Sequence, residues 1–290
     1  MRDDGIRDNG WPAGFRPARS AEPAAIEPQA LEHALEVAQR AADRARAEIL
    51  PRFRHVAIET KQDGSPVTEA DRAAEQAIRS VLREAFPEDA ILGEEFGEET
   101  GPGGRGTARA GPAGSPRRWV IDPIDGTIAF ARGIPLFTTL IALLVEEEPV
   151  LGLIDLPAVD DRIGGVRGGG VWRGAERLAV SPVDTLDRAL VCHGDLFCFD
   201  RSGARPAYER MAAAIPMLRG YTDAFGHLLV LSGAADAMVD CDLNPWDAAV
   251  TRVLAHEAGG VCWMREHPGR GKVDLVFGNE PLVQRLGSFF

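Results

Sequence analysis

The sequence predicts a mixed α/β chain in two halves. Two helix-forming segments come first, paired apolar strands follow them, and beyond about residue 187 strands alternate with helices. We assign the N-terminal half to residues 28–187 and the C-terminal half to residues 188–290. Residues 1–27 lack hydrophobic periodicity and are rich in Pro, Gly and Arg, so we expect a disordered N-terminal extension there.

Two helices open the first half. Residues 28–53 are rich in Ala, Leu, Glu and Arg and carry an apolar stripe, which predicts the first helix. Thr68 stands at a helix N-cap position with Asp71 three residues later, and the apolar spacing beyond them predicts an amphipathic helix. A short buried strand over 90–92 comes next, and the Gly/Pro/Arg-rich segment 101–116 is expected to be a flexible loop.

Apolar runs predict the strands of the first half. Arg118–Ile121 is typical of a strand, and 138–145 with 149–156 predicts a hairpin. Short strands separated by glycines follow at 162–166, 171–172 and 177–180.

The second half alternates strands with helices. Its last helix begins with Asn244 as N-cap and Pro245 at the first helical position, and Gly259 ends it. Helices are also expected near 208–215 and 226–232, and strands at 189–192, 219–222, 237–239, 261–264 and 273–277.

Composition excludes several classes of partner. Acidic residues outnumber basic ones by 44 to 32, a formal charge of −12, which disfavours nucleic-acid binding by bulk electrostatics. The longest apolar run is far too short to cross a membrane, and the N-terminus lacks a secretory signal pattern, so a cytoplasmic location is expected. Lysine occurs only at positions 61 and 272, which we interpret as a compositional bias rather than a mechanism.

Acidic residues occur where a strand end or a helix start fixes the backbone. Each one alone is also explained as a solvated loop charge, a turn former or an acid that complements a helix dipole. Together they supply the oxygen ligands that Mg²⁺ prefers, as in metal-assisted phosphoryl chemistry. The residues concerned are Asp71, Glu94, Glu95, Asp122, Asp125 and Asp247.

The turn after the strand that ends at Ile121 combines two chemistries. Asp122, the Ile124 carbonyl and Asp125 could meet metal ions from one turn. Gly126 and Thr127 then offer backbone N–H groups and a hydroxyl at what we expect to be the start of a helical turn, a natural position for a phosphate.

Three segments resemble the signatures of the inositol monophosphatase family of Mg²⁺-dependent phosphomonoesterases. They are Gly93-Glu94-Glu95, the WVIDPIDGT string of residues 119–127 and the NPWDAA string of residues 244–249. The resemblance extends from about Leu31 to the C-terminus, and residues 63–75, 91–97 and 135–143 are most similar to the histidinol-phosphate phosphatase branch. It implies a layered α/β/α/β/α sandwich, shared with fructose bisphosphatase, and a homodimer.

The resemblance also implies roles for individual residues. Asp71 would orient water near a third metal, and Thr127 with Glu94 would position and deprotonate the attacking water. The implied ligands of two or three Mg²⁺ ions are Glu94, Asp122, the Ile124 carbonyl, Asp125 and Asp247. The implied substrate contacts are Asp223, Asp240 and Asn244, and Ile128 stands where the branch usually has a basic residue.

We therefore expect a phosphomonoester hydrolase that uses a metal-activated water. Covalent routes are disfavoured because neither Cys192 nor Cys241 has an Arg six residues later, and Asp122 and Asp125 are three apart rather than two. An acidic pocket favours the ammonium- and imidazole-bearing histidinol phosphate of histidine biosynthesis. Carboxylates also bind sugar hydroxyls, so inositol 1-phosphate or another small sugar or nucleotide phosphate stays open. A metal-binding regulatory protein with little turnover is the alternative from another class.

Overall fold

The computed structural model describes residues 14–18, 26–61, 64–100 and 117–290. The predicted flexible loop 101–116 and most of the predicted extension lie outside these ranges. The chain divides into two compact units, which we call the N-terminal unit (the described residues of 20–177 and 249–254) and the C-terminal unit (the described residues of 1–19, 178–248 and 255–290). The division falls after residue 177, whereas the sequence predicts it after residue 187.

Part of the predicted N-terminal extension is a strand of the C-terminal unit. Strand β1 (Phe15–Pro17) pairs antiparallel with Trp263–Arg265. Phe15 is buried, and its ring meets that of Phe290 edge-on at 4.8 Å. The expectation of disorder across 1–27 is therefore corrected for these three residues, because burial of one aromatic side chain fixes a segment too short to show periodicity.

Two helices of the N-terminal unit confirm the sequence prediction. Helix α1 (Pro28–Ile49) buries an alanine-rich face, and helix α2 (Glu69–Ala85) begins with the predicted capping box. Thr68 Oγ1 accepts a hydrogen bond from Ala70 N at 3.1 Å, and Asp71 Oδ2 accepts one from Thr68 N at 2.8 Å. The cap satisfies backbone donors that a helix start otherwise leaves without partners.

The strands of the N-terminal unit form one hairpin and one larger sheet. The hairpin joins β2 (Glu59–Thr60) and β3 (Pro66–Val67). In the described residues the larger sheet has eight strands in the order β11-β10-β9-β8-β7-β6-β4-β5, and its β4–β6 pair is parallel. These strands are β4 (Ala90–Gly93), β5 (Gly97–Glu99), β6 (Arg117–Asp125), β7 (Thr138–Val145), β8 (Glu148–Leu156), β9 (Asp161–Val166), β10 (Gly170–Arg173) and β11 (Glu176–Leu178). A short helix, α3 (Thr127–Ala131), follows β6.

The C-terminal unit is built on a second sheet. Its described part holds six strands in the order β1-β15-β16-β14-β12-β13, with β12 parallel to both β13 and β14. The strands are β12 (Leu190–His193), β13 (Met217–Arg219), β14 (Ala237–Leu243), β15 (Val261–His267) and β16 (Lys272–Gly278). The helices are α4 (Leu196–Ser202), α5 (Arg205–Ala214), α6 (Asp223–Leu231), α7 (Pro245–Glu257) and α8 (Glu280–Gly287).

Glycines let helix α7 pack closely on the sheet of the N-terminal unit. Gly152 and Gly165 pair across β8 and β9. A Cβ on Gly152 would lie 3.0 Å from Leu254 Cγ, and one on Gly165 would lie 3.2 Å from Leu254 Cδ2. A Cβ on Gly164, which faces the other way, would lie 3.2 Å from Leu35 Cδ1 of α1. The sheet is thus covered on both faces, and side chains larger than hydrogen at the paired glycines would push α7 away.

None of the helices in the described residues combines the length and apolar character that a bilayer crossing requires.

Candidate active site

A β-bulge brings two of the predicted carboxylates together. On β6, Asp122 pairs with Leu140 of β7 and Asp125 pairs with Thr138, so three steps on one strand match two on the other. In a regular strand, side chains three positions apart point to opposite faces, and one inserted residue turns them to the same side. The carboxylate oxygens of Asp122 and Asp125 lie within 4.8 Å of one another, in a group that could hold a metal ion.

Neutral donors orient this carboxylate pair. Asp122 Oδ1 accepts a hydrogen bond from Ile124 N at 3.0 Å, and Thr138 Oγ1 donates to Asp125 Oδ2 at 3.0 Å. Thr139 Oγ1 donates to the carbonyl of Pro123 at 2.8 Å and so fixes the bulge itself. These contacts hold the carboxylates in place without adding positive charge beside them.

Thr127 links the bulge to Asp71. Its hydroxyl, at the start of α3, lies 3.1 Å from the Ile124 carbonyl and 3.2 Å from Asp71 Oδ1. Gly126, with φ 84°, makes the turn that leads into this helix. Burial raises the pKa of Asp71, although hydrogen bonds from Thr68 oppose the shift. Asp71 therefore both caps α2 and contacts the residue predicted to act beside it.

A buried ion pair supports the turn that carries Glu94 and Glu95. The carboxylate of Glu75, which is fully buried, accepts hydrogen bonds from Glu95 N at 2.7 Å and Phe96 N at 3.2 Å. Arg79 Nε donates to the same carboxylate at 2.8 Å. A Cβ on Gly93 would lie 2.1 Å from Glu75 Oε1, so the glycine makes room for the support. Sequence reasoning missed this pair, although two opposite charges four residues apart on the buried face of α2 were a usable signal.

Lys61 binds both acids of that turn. Its Nζ donates to Glu94 Oε1 at 2.8 Å and to Glu95 Oε1 at 2.6 Å. Burial raises the pKa of Glu95 to about 7 against the opposing effect of Lys61, and the charges of Glu94 and Asp71 add to the rise. Glu94 is thus paired with a cationic side chain of the protein, the ammonium group of Lys61. A compositional bias, as which we interpret the two lysines, does not predict the contact of Lys61 with Glu94 and Glu95.

Asp247 lies in the first turn of helix α7. Its Oδ2 accepts a hydrogen bond from Asn244 N at 3.0 Å, and the side-chain oxygen of Asn244 accepts one from Lys272, the second lysine of the chain. Residues 249–254 of the same helix belong to the N-terminal unit, where they pack over the paired glycines of its sheet. The hydrogen bond with Asn244 therefore fixes Asp247 at the start of the helix.

The C-terminal unit brings Asp223 and Asp240 close to each other. Asp240 is buried on β14, and its Oδ2 lies 2.9 Å from Nε2 of His227. Asp223 begins α6 at φ 58° and accepts a hydrogen bond from Thr222 Oγ1 at 3.0 Å. Burial, and then the charge of Asp240, raises the pKa of Asp223 to about 6.

The structure thus gathers the predicted residues in local groups. Asp122, Ile124 and Asp125 share the β6 bulge, Thr127 contacts Asp71, and the remaining groups are Asp223 with Asp240 and Asn244 with Asp247. Ile128, the departure from the branch pattern, is 60% exposed.

Comparisons with known proteins point to one family. Residues 30–275 match the model of the inositol monophosphatase family. A histidinol-phosphatase of Streptomyces coelicolor is 38% identical over 78% of this chain and 84% of its own length, and one of Chlorobaculum parvum is 35% identical over 80% and 86%. The solved inositol monophosphatase of Anabaena (Nostoc) sp. PCC 7120 superposes with a TM-score of 0.75 at 25% identity, covering 90% of this chain and 96% of that one.

These matches confirm the predicted fold class, and acidic residues are clustered as a metal-dependent phosphatase of that fold requires. The chain belongs to the inositol monophosphatase family and is a phosphomonoesterase.

Proposed function

We propose that the chain is a Mg²⁺-dependent phosphatase whose substrate is histidinol phosphate. The observation that carries the metal dependence is the β6 bulge, which turns Asp122 and Asp125 to one side with their oxygens within 4.8 Å. The names of the curated relatives and the acidic pair Asp223 and Asp240 support the substrate.

The proposed ligands fit a hard divalent cation, because they supply carboxylate and carbonyl oxygens. Two or three Mg²⁺ ions would be held by Glu94, Asp122, the Ile124 carbonyl, Asp125 and Asp247. When bound, Mg²⁺ supplies positive charge for the phosphate oxygens and lowers the pKa of water. The contact of Lys61 with Glu94 supports the assignment, since it shows that this carboxylate accepts a cationic partner.

The protein residues would position the reactants. The Thr127 hydroxyl donates its proton toward Asp71 or the Ile124 carbonyl, so its lone pairs are available to accept a hydrogen bond from the attacking water. Glu94 would take the proton of that water as it attacks. Backbone N–H groups of Gly126 and Thr127 would hold phosphate oxygens, and the water would attack in line with the leaving oxygen.

The substrate side favours a cation. The charge of Asp240 disfavours the ionisation of Asp223, and a bound ammonium or imidazolium group relieves that repulsion. Inositol 1-phosphate is the second candidate, because carboxylates also accept hydrogen bonds from hydroxyl groups. We also propose a homodimer, by resemblance to the family, which light scattering would test against the 31.2 kDa chain mass.

The proposal is tested by phosphate release from four substrates side by side. Histidinol phosphate, inositol 1-phosphate, fructose 1,6-bisphosphate and adenosine 3′,5′-bisphosphate are compared with Mg²⁺ and with EDTA. We expect preference for histidinol phosphate, loss of activity in EDTA and loss in Asp122→Asn, while the exposed-site control Asp43→Asn keeps full activity. Full activity in EDTA would overturn the metal dependence, and preference for inositol 1-phosphate would overturn the substrate.

A further inference from the structure

His227 is a buried side chain to which the sequence analysis gave no role in the chemistry. We propose that His227 is a specificity-determining positioning residue, which holds Asp240 and through it prepares Asp223 to bind a cationic leaving group. The inference rests on the proposed function, because it deepens the account of the same substrate pocket.

Close packing gives the pair one arrangement. His227 is 1% exposed, and its ring meets that of Phe277 edge-on at 5.0 Å. The Asp240 side chain is 5% exposed, and its Oδ2 lies 2.9 Å from His227 Nε2. The other oxygen, Oδ1, lies 1.9 Å from where a Cβ on Gly194 would be, so the glycine leaves space that the carboxylate fills. A side chain at position 194 would displace the carboxylate, and the hydrogen bond with His227 orients its Oδ2.

The charged groups around Asp223 affect its pKa, and the orientation of Asp240 matters for this reason. Asp223 is more exposed than Asp240 or His227, so it is the carboxyl group that a substrate can reach. Three charged groups face it from three elements: His227 on α6 itself, Asp240 on β14 and Asp195 at the start of α4. The two carboxylates raise the pKa of Asp223, and His227 lowers it. His227 therefore favours the ionised form that attracts a cation.

A second histidine–aspartate pair in the same unit provides the contrast. His267 Nε2 also lies 2.9 Å from a buried carboxylate, that of Asp274. Arg265 donates to Asp274 at 2.8 and 2.6 Å, so this carboxylate is neutralised by an arginine. Asp240 instead has the carboxyl group of Asp223 as its neighbour. The His267–Asp274 hydrogen bond therefore belongs to a network that an arginine neutralises. The His227–Asp240 hydrogen bond instead lies beside a second carboxyl group, that of Asp223.

The test uses two variants and a matched control. His227→Leu removes the hydrogen bond and the charge, His227→Gln keeps a donor at similar reach but cannot become charged, and His267→Gln is the control. Steady-state kinetics with Mg²⁺ compare histidinol phosphate with p-nitrophenyl phosphate, whose leaving group carries no cation. Calorimetry measures the binding of histidinol itself, and thermal unfolding checks that each variant folds.

We expect His227→Leu to raise KM for histidinol phosphate and to weaken histidinol binding about tenfold, as for loss of a hydrogen bond to a charged group. KM for p-nitrophenyl phosphate and both kcat values should stay within about twofold. In the wild type, KM for histidinol phosphate should rise as the pH falls through about 6, where Asp223 takes up its proton. In His227→Gln that rise should move to higher pH, and His267→Gln should match the wild type.

Equal changes in KM for both substrates, or no change in a folded variant, would overturn the inference. If His227→Leu does not fold, the pH profile of His227→Gln decides alone, and an unshifted profile overturns it. A wild type that hydrolyses neither substrate overturns the proposed function together with this inference. An active wild type with unselective variants overturns the inference alone.

Discussion

Both units contain a strand with one residue inserted beside its acids, and the partners of the acids differ between the two strands. In β6 one residue is inserted between Asp122 and Asp125, and in β14 one is inserted between Asp240 and Leu243. Within the second bulge lies Asp242, whose φ is 62° and whose N–H donates to Asp274 Oδ1 at 2.9 Å.

The partners of these acids differ in charge. Asp242 forms ion pairs with Arg201 and Arg270, and Asp274 binds Arg265 and His267. Asp122 and Asp125 receive hydrogen bonds from a backbone N–H and a threonine hydroxyl. Arginines neutralise the buried acids at the β14 bulge and fix the shape of the strand, whereas the acids of β6 supply carboxylate oxygens of the kind that a metal ion binds. At these two bulges we therefore assign the acids paired with arginine to structure and those of β6 to metal binding.

The largest expected effect tests the structural role that we assign to the acids neutralised by arginine. Asp274→Asn leaves Arg265 and His267 without their carboxylate, and breaking a buried ion pair from one side typically costs about 3 to 5 kcal/mol of unfolding free energy. Urea unfolding measures the loss, and kcat of the folded protein should change less than threefold. A stable variant with impaired kcat would reverse the roles that we assign to the two bulges.

The next effect tests the metal-binding role that we assign to the acids of the β6 bulge. Asp125→Asn keeps the size of the side chain and removes one charge from the β6 pair, so we expect kcat with Mg²⁺ to fall about a hundredfold. Removing one of two adjacent like charges should leave stability in EDTA unchanged or raised. Asp43→Asn, at an exposed ion pair, serves as the matched charge removal. Normal kcat in Asp125→Asn would contradict the assignment of this carboxylate to the metal.

A smaller effect concerns a neutralised pair that supports a site residue. Gly93→Ala would place a Cβ 2.1 Å from Glu75 Oε1, and overpacking of this kind costs about 1 to 3 kcal/mol. Because Glu75 holds the turn of Glu94, we also expect weaker Mg²⁺ binding by calorimetry. Gly269→Ala, with nothing within 4 Å of its Cβ, is the control and should change neither quantity. Unaltered metal affinity in a destabilised Gly93→Ala would limit Glu75 to a structural role.

The last effect is a pH dependence. The folded protein holds the proton of Glu95 up to a pKa of about 7, compared with 4.5 for the unperturbed group, so ionisation between pH 4.5 and 7 reduces stability. Glu95→Gln removes this loss. The variant should therefore gain stability relative to the wild type between pH 5 and pH 8 in urea unfolding with EDTA present. Glu84→Gln, exposed on α2, should show no such gain, and equal curves for all three proteins would contradict the cause given for the shift.

The long periodic elements could be predicted from the sequence, whereas features set by partner strands could not. Helices α1, α2 and α7 and the β7–β8 hairpin have enough residues to show a period. Strand β13 and the start of α6 lie earlier than expected, and the short α4 and α8 were missed, because local turns define them. The DPIDGT motif marked the acids, but the bulge that turns them to one side depends on the register against β7.

Contacts that join distant residues were also invisible in the sequence. Lys61 is 33 positions from Glu94, and the pairing of His227 with Asp240 requires both α6 and β14. Composition made the two lysines look incidental, and a histidine without metal-ligand spacing gave no signal. The carboxylates themselves were recognisable because each follows a strand or begins a helix.

The glycine pair beneath α7 has a consequence for recombination between relatives. Gly152 and Gly165 belong to the N-terminal unit, while α7 begins in the C-terminal unit with Asp247 in its first turn. A chimaera that imports residues 249–254 of α7 onto a sheet with larger residues at these two positions would lift this part of the helix. The two glycines and the helix must therefore come from the same parent sequence, although they are about a hundred positions apart in the chain.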